Sequence, residues 1–254
     1  MRPTHCALWI VATFVLALDP ARALGQGGTD PCRPIRGPLP VVISEEGTYC
    51  LTSSLDTTMR QGIAIRITAN NVVLDLNGFI LHGLADRETT TATGVFAGSP
   101  QNITVRNGTI RGFYEGVSMV AQNVTVEHVR ADRNTFVGIG VSGAGTVIRK
   151  NHVIETGGTT IAPNLGPGAA ILASGPSPRV LDNDVTGFPG TPSSRVTGIL
   201  FIGGGGVAVN NRLVSVARGI EFGGFVPSNG TYRDNLTFDV ATPYTGGIDA
   251  GNNR

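Results

Sequence analysis

Lysine is almost missing from this chain of 254 residues: Lys150 is the only one, against eighteen arginines. The formal net charge is +1, so the composition carries no basic excess of the kind that binds nucleic acid. Aromatic residues are scarce at 6%, which counts against a broad stacking surface for sugars; Phe113, Tyr114, Phe136 and Phe188 are the available rings. Long apolar runs are confined to the N-terminus, where Ala7–Leu18 spans twelve residues, too few to anchor a chain across a bilayer. With Arg2 before it and Ala21-Arg22-Ala23 behind it, that run reads as a signal peptide over residues 1–23. Cysteine is rare too. Cys6 leaves with the signal, and Cys32 and Cys50 remain, which in an exported protein read as a disulfide closing a 19-residue loop. Two cysteines without a neighbouring histidine pair do not make a zinc site, so no metal and no cofactor is expected. Absent these features, an exported single domain with no membrane span after signal cleavage is the expectation.

Glycine is abundant, at 36 residues, and it is ordered. Gly62, Gly94, Gly116, Gly138, Gly168, Gly198 and Gly219 each open an apolar run, at spacings of 32, 22, 22, 30, 30 and 21. Each segment then reaches an Asn-centred turn, at Asn77, Asn107, Asn151, Asn183, Asn211 and Asn235, with His128 breaking the column in the third. Between these markers β-branched residues alternate, as in Ile63/Ile65/Ile67, Val72/Leu74/Leu76 and Val124/Val126, which is the period of a strand. Short strands ended by Gly or Asn, repeating every 20 to 30 residues, describe a solenoid whose coils cannot bury their apolar faces alone. The expectation is an all-β domain over residues 41–254, of about seven or eight coils with an N-terminal cap, preceded by a Gly/Pro-rich leader at 24–40. The Asn column is explained by turn geometry and by amides that bond from coil to coil. It also produces five N-x-T sequons, at Asn102, Asn107, Asn123, Asn229 and Asn235, which are read as incidental.

The stretch GIAIRITANNVVLDLNGFILHG (Gly62–Gly83), with the lead-in SEEGTYCLTSSL (Ser44–Leu55), resembles the first coils of bacterial secreted right-handed parallel β-helix proteins of the pectin-lyase-like superfamily. The resemblance implies a single-stranded, right-handed parallel β-helix and fixes the handedness, which the repeat alone does not. It leaves function open, because that fold carries lyases, hydrolases, epimerases, adhesins and non-catalytic repeats. The NTD, paired DD, GHG and RIK motifs of polygalacturonases are missing, as is the DPHD of alginate epimerases. The densest acidic group, Asp182 with Asp184, falls short of the six to eight oxygens that calcium takes.

Two charged columns follow from the alignment. The position before the turn Asn reads Arg106, Glu127, Lys150, Asp182, Asn210, Asp234, a ladder of alternating sign worth under ~1 kcal/mol per pair. The position after it reads His152, Asp184, Arg212: an imidazole, a carboxylate and a guanidinium on consecutive coils. His152 and Asp184 are the weak catalytic candidates, suited to proton transfer; Lys150 and Arg212 are candidates for holding an acidic ligand. Extra residues fall in three places, Leu84–Gly94, Thr156–Pro167 and Gly187–Thr197, all just before a Gly start, so they leave the rod at one corner and add Arg87 and Arg195 as binding candidates. Three functions stay open: a protein binding a polysaccharide or cell-surface glycan, a polysaccharide-acting enzyme, and a structural module. The ligand and the oligomeric state are not written in the chain.

Overall fold

A computed structural model describes residues 32–84, 90–159, 168–187, 196–203, 205–223 and 229–254; the segment read as a signal peptide lies outside them. All the strand pairings in this region are parallel, and they build three faces of a rod. The first face has nine strands: Val41–Ile43, Ile63–Ile67, Thr93–Ala97, Glu115–Val120, Val137–Ser142, Ala169–Ser174, Thr197–Ile202, Arg218–Gly223 and Thr242–Thr245. Nine is more than the Gly starts suggest, because the first and last strands carry no opening glycine. The second face runs from Arg33–Ile35 to Ile248–Asp249, and the third from Leu55–Asp56 to Leu236–Phe238. In two coils a single long strand, Gln101–Arg111 or Gln122–Asp132, serves both the second and third faces.

The core is made of stacked equivalents. Val41, Ile65, Val95, Val117, Ile139, Ile171, Ile199, Ile220 and Tyr244 form one register column on the first face. Leu74, Val105, Val126, Ile148, Val180, Ala208 and Tyr232 form another on the second. The scarce aromatics join this interior at the C-terminal end, where Phe201 stacks on Phe222 at 4.5 Å and Tyr232 on Tyr244 at 4.7 Å.

The opening glycines have a steric cause. Gly94, Gly116, Gly138, Gly198 and Gly219 share one column, and a Cβ there would lie 2.2–3.0 Å from the carbonyl oxygen of the next coil. The same register puts Ala64 and Ala170 in that column, so Gly62 and Gly168 stand two residues ahead of it.

The asparagines resolve into two columns where the sequence suggested one. The first column has left-handed backbone, with φ between 53° and 59° at Asn107, His128, Lys150, Asp182, Asn210, Asp234 and Asn252. The next position turns inward and holds Asn151, Asn183, Asn211, Asn235 and Asn253. Asn107 therefore belongs with the turn residues and is exposed, and its inward successor is Gly108. The inward amides form a ladder: Asn151 donates its backbone N–H and its Nδ2 to Asn183 Oδ1 at 3.0 Å, and Asn183 repeats this on Asn211. Each Nδ2 also donates to a carbonyl of the coil before, Val126 for Asn151 and Ile148 for Asn183. The sequence separations along this ladder are 32, 28, 24 and 18, yet every step is one rung.

The alternating-charge ladder keeps Arg106 and Glu127 and shifts by one residue after them. Its true members are Asp75, Arg106, Glu127 and Arg149, with Arg106 on Asp75 at 2.9 Å and Arg149 on Glu127 at 2.6 Å. Lys150, Asp182 and Asp234 stand in the turn column beside it.

The last part of the Gly/Pro-rich leader is a strand, Arg33–Ile35, paired with Tyr49–Leu51 and clasped by the disulfide between Cys32 and Cys50, whose Cα atoms are 5.7 Å apart. Changing both cysteines to serine is expected to remove ~3 kcal/mol, since the bond closes a short loop of the unfolded chain. A chemical-denaturation midpoint that does not move in the double variant would show that the clasp adds nothing to stability.

Candidate functional site

The third face owes its pattern to strands three residues long. Their middle residues, Val153, Val185 and Leu213, are fully buried, so the residues on either side point outward. The inward asparagine fixes this phase, and the position after it faces solvent. His152, Asp184 and Arg212 accordingly occupy neighbouring rungs, His152 opposite Asp184 and Asp184 opposite Arg212. The Asp184 carboxylate accepts from Arg212 through Nε at 3.2 Å and through Nη2, a two-pronged pair. That hydrogen bond, with the charge behind it, raises the Arg212 pKa further. Asp184 is thus engaged by arginine, leaving the exposed His152 imidazole open to a ligand. Lys150 stands at the corner between the second and third faces, exposed and two residues from His152.

One cluster on this face went unread in the sequence. Asp132 lies in register with Arg111, and its side chain is 9% exposed. Arg111 Nε, Arg130 Nη2 and Arg133 Nε approach its carboxylate at 3.8, 3.6 and 3.9 Å. Arg133 is also bonded to Glu155 at 2.9 Å. Arg130 shares the register column of His152, Asp184 and Arg212, one rung before His152. The signal was present in the strand ends TIRG and RADR. It was lost because in these coils the inward asparagine is replaced by Gly108 and Val129, so the marker used for alignment is missing.

Just past the cluster the chain turns from the third face to the first. Tyr114 stacks on Phe136 with ring centroids 4.8 Å apart. Tyr114 Oη, Thr135 Oγ1 and Thr156 Oγ1 are buried without a hydrogen-bond partner among the described residues. Burial pushes the Tyr114 phenol above its usual pKa, and Glu115 adds to the shift. The three insertions fall at this same corner, between third-face and first-face strands, as the spacing predicted. Residues 85–89, 160–167 and 188–195, with Arg87, Arg195 and Phe188, lie outside the described residues.

No helix among the described residues is long and apolar enough to cross a membrane. Residues 54–214 match the model of a family described as the right handed beta helix region. No curated protein sequence matches the chain. Among solved structures, the alginate lyase from Paenibacillus sp. str. FPU-7 is similar, with a TM-score of 0.60 at 11% identity, over 82% of this chain and 89% of the lyase. The Dettilon tailspike protein is similar more loosely, with a TM-score of 0.42 at 13% identity, over 88% of this chain and 58% of its own. At such identities the likeness is one of fold.

Proposed function

This chain belongs to the right-handed β-helix family, and we propose that it is an exported protein that binds an acidic polysaccharide along its third face. The observation that carries this reading is the register column Arg130, His152, Asp184, Arg212: four outward polar groups on consecutive rungs, one strand spacing of ~4.8 Å apart. A polymer of sugars laid along the rod meets one such group per rung. Arg212 presents the guanidinium N–H groups left over from Asp184 to a carboxylate of the ligand, and Lys150 adds charge at the adjoining corner. Export is supported by the Cys32–Cys50 bond and by the N-terminal pattern of residues 1–23, with cleavage expected near Leu24. The repeat domain of this reading is residues 41–254.

A second reading, a polysaccharide-acting enzyme, is favoured by one comparison: a structure of similar fold, at a TM-score of 0.60, is an alginate lyase. In it His152 is the proton-transfer group, and Asp184 orients Arg212 toward the reacting uronate.

The mature chain should be screened against polygalacturonate, alginate and a neutral glucan, scoring binding by calorimetry and lysis by the ultraviolet absorbance of unsaturated products. Arg212→Ala is expected to weaken binding of the acidic polymers about tenfold, as loss of a charged hydrogen bond of ~1.5 kcal/mol implies. His152→Ala is expected to retain binding and, in the enzyme reading, to abolish product formation. Both variants should fold, since exposed positions away from buried partners change stability little. Full affinity in Arg212→Ala, with binding and product formation in His152→Ala unchanged from the parent, would remove this strip from consideration.

A further inference from the structure

We propose a second anionic-sugar site where Arg111, Arg130 and Arg133 converge on Asp132 beside the Tyr114–Phe136 stack. It lies on coils that precede the His152–Arg212 strip, and it uses residues that strip does not need, apart from Arg130, where the two meet.

The geometry is that of an incompletely satisfied anion cradle. Three guanidiniums face one carboxylate, and none comes closer than 3.6 Å, beyond the length of a hydrogen bond. The carboxylate is buried, at 9% exposure, while the arginine side chains above it are 30%, 48% and 49% exposed. Arg111 and Arg130 make no side-chain hydrogen bond among the described residues; their contacts are the two long approaches to Asp132. Each guanidinium carries five N–H donors, so Asp132 and Glu155 together leave most of that capacity unused. Asp132 holds the three cations in place from below, and their outer N–H groups are presented to solvent. A carboxylate of matching fork geometry is the ligand chemistry that fits.

The neighbouring corner bounds the cluster on one side. Tyr114 follows Arg111 by three residues, and Phe136 follows Arg133 by three. Their rings are nearly parallel, at 13°. The buried Tyr114 hydroxyl has no partner, and Thr135 Oγ1 and Thr156 Oγ1 on the following coils share that condition. These hydroxyls are sealed from solvent, so the corner closes the cluster on that side and leaves the ligand to the arginines. The sequence marks the place as well. The turns from third to first face are three and four residues long here, 112–114 and 133–136, against ten in 83–92 and fourteen in 155–168. On the acidic-polysaccharide reading above, the ligand is a uronate sugar with its carboxylate on the arginines.

The test is calorimetry of the mature chain with hexagalacturonate, its full methyl ester and inorganic sulfate. Arg111→Ala and Arg130→Ala should each weaken hexagalacturonate about tenfold. The methyl ester should bind poorly to every variant. The same series in an Arg212→Ala background separates the two sites: Arg111→Ala must still cost about tenfold there, whatever Arg212 itself contributes. Should Arg130→Ala fail to fold, Arg130→Gln carries the same expectation, with part of the aliphatic stem kept and the charge removed. Unchanged affinity in folded Arg111→Ala and Arg130 variants overturns the site. So does sulfate that binds as tightly as hexagalacturonate and responds to the same substitutions, since the arginines then take any anion and no sugar is recognised.

Discussion

Asn183→Leu is expected to cost about 3–6 kcal/mol of stability. The reasoning follows the bonds. The Asn183 amide accepts from Asn151 N and Asn151 Nδ2, and it donates to Ile148 O and to Asn211 Oδ1, all at 3.0 Å. The residue is 2% exposed, so water does not replace those partners. An apolar substitute of similar size leaves the N–H and the amide of Asn151 without their acceptor on one side and a carbonyl without its donor on the other. Each buried orphan costs ~1–3 kcal/mol. At ~2–4 °C per kcal/mol for a domain of this size, the thermal midpoint should fall by roughly 10–20 °C. Asn210→Gly is the control, since glycine takes the left-handed backbone of this turn without strain. It sits one residue earlier, in the turn column, and its side chain makes a single exposed bond, to Asp182 at 2.7 Å. Its loss should stay under ~1 kcal/mol. Equal losses at the two positions would mean that the inward ladder is no more important than the turn beside it.

Gly116→Ala should cost about 2–3 kcal/mol, although it adds one methyl. The Cβ would stand 2.6 Å from Gly138 O and 2.7 Å from Asn134 Nδ2. Neither neighbour yields freely. The Gly138 carbonyl belongs to the adjacent coil, and Asn134 is fully buried, accepting from Phe113 N and donating to Ile110 O. Moving Asn134 breaks two bonds that hold the corner under the arginine cluster. The comparison is Ala170, in the same column, where a methyl is already accommodated; Ala170→Gly should change stability by no more than ~1 kcal/mol. A Gly116→Ala variant as stable as the parent would show that the coils slide apart easily at this corner, and the steric account of the glycine column would fall with it.

The fold was legible because its strongest signals are periodic. Alternating β-branched residues fix strands, and a marker that returns once per coil fixes the stack. The register was less legible, for a physical reason. Asn serves two purposes here, tolerating left-handed backbone at the turn and bonding other amides inside, and these sit one residue apart. Where both are Asn, as at Asn210 and Asn211, sequence does not distinguish them; where one is Asn107 and the next Gly108, the wrong one is taken. His152, Asp184 and Arg212 were nonetheless placed together correctly, because the coils that carry them all keep the inward Asn. The Asp132 cluster lies on coils that do not. Tyr114 was visible only as one of few aromatics, since a hydroxyl without a partner leaves no trace in a sequence.

The inward amide ladder has a direction and no fixed length. Every rung offers the same acceptor to the coil before it and the same donors to the coil after it, across chain separations of 32, 28, 24 and 18 residues. A duplicated stretch from one such asparagine to the next would therefore arrive with both of its ends already matched, as would the junction left by removing one. Duplications of any other size would put an apolar side chain where an amide is awaited. Descent in a molecule of this kind is granular: its length changes by whole coils, while its corners accept residues one at a time, so reach along a polymer and chemistry at the edge are inherited separately.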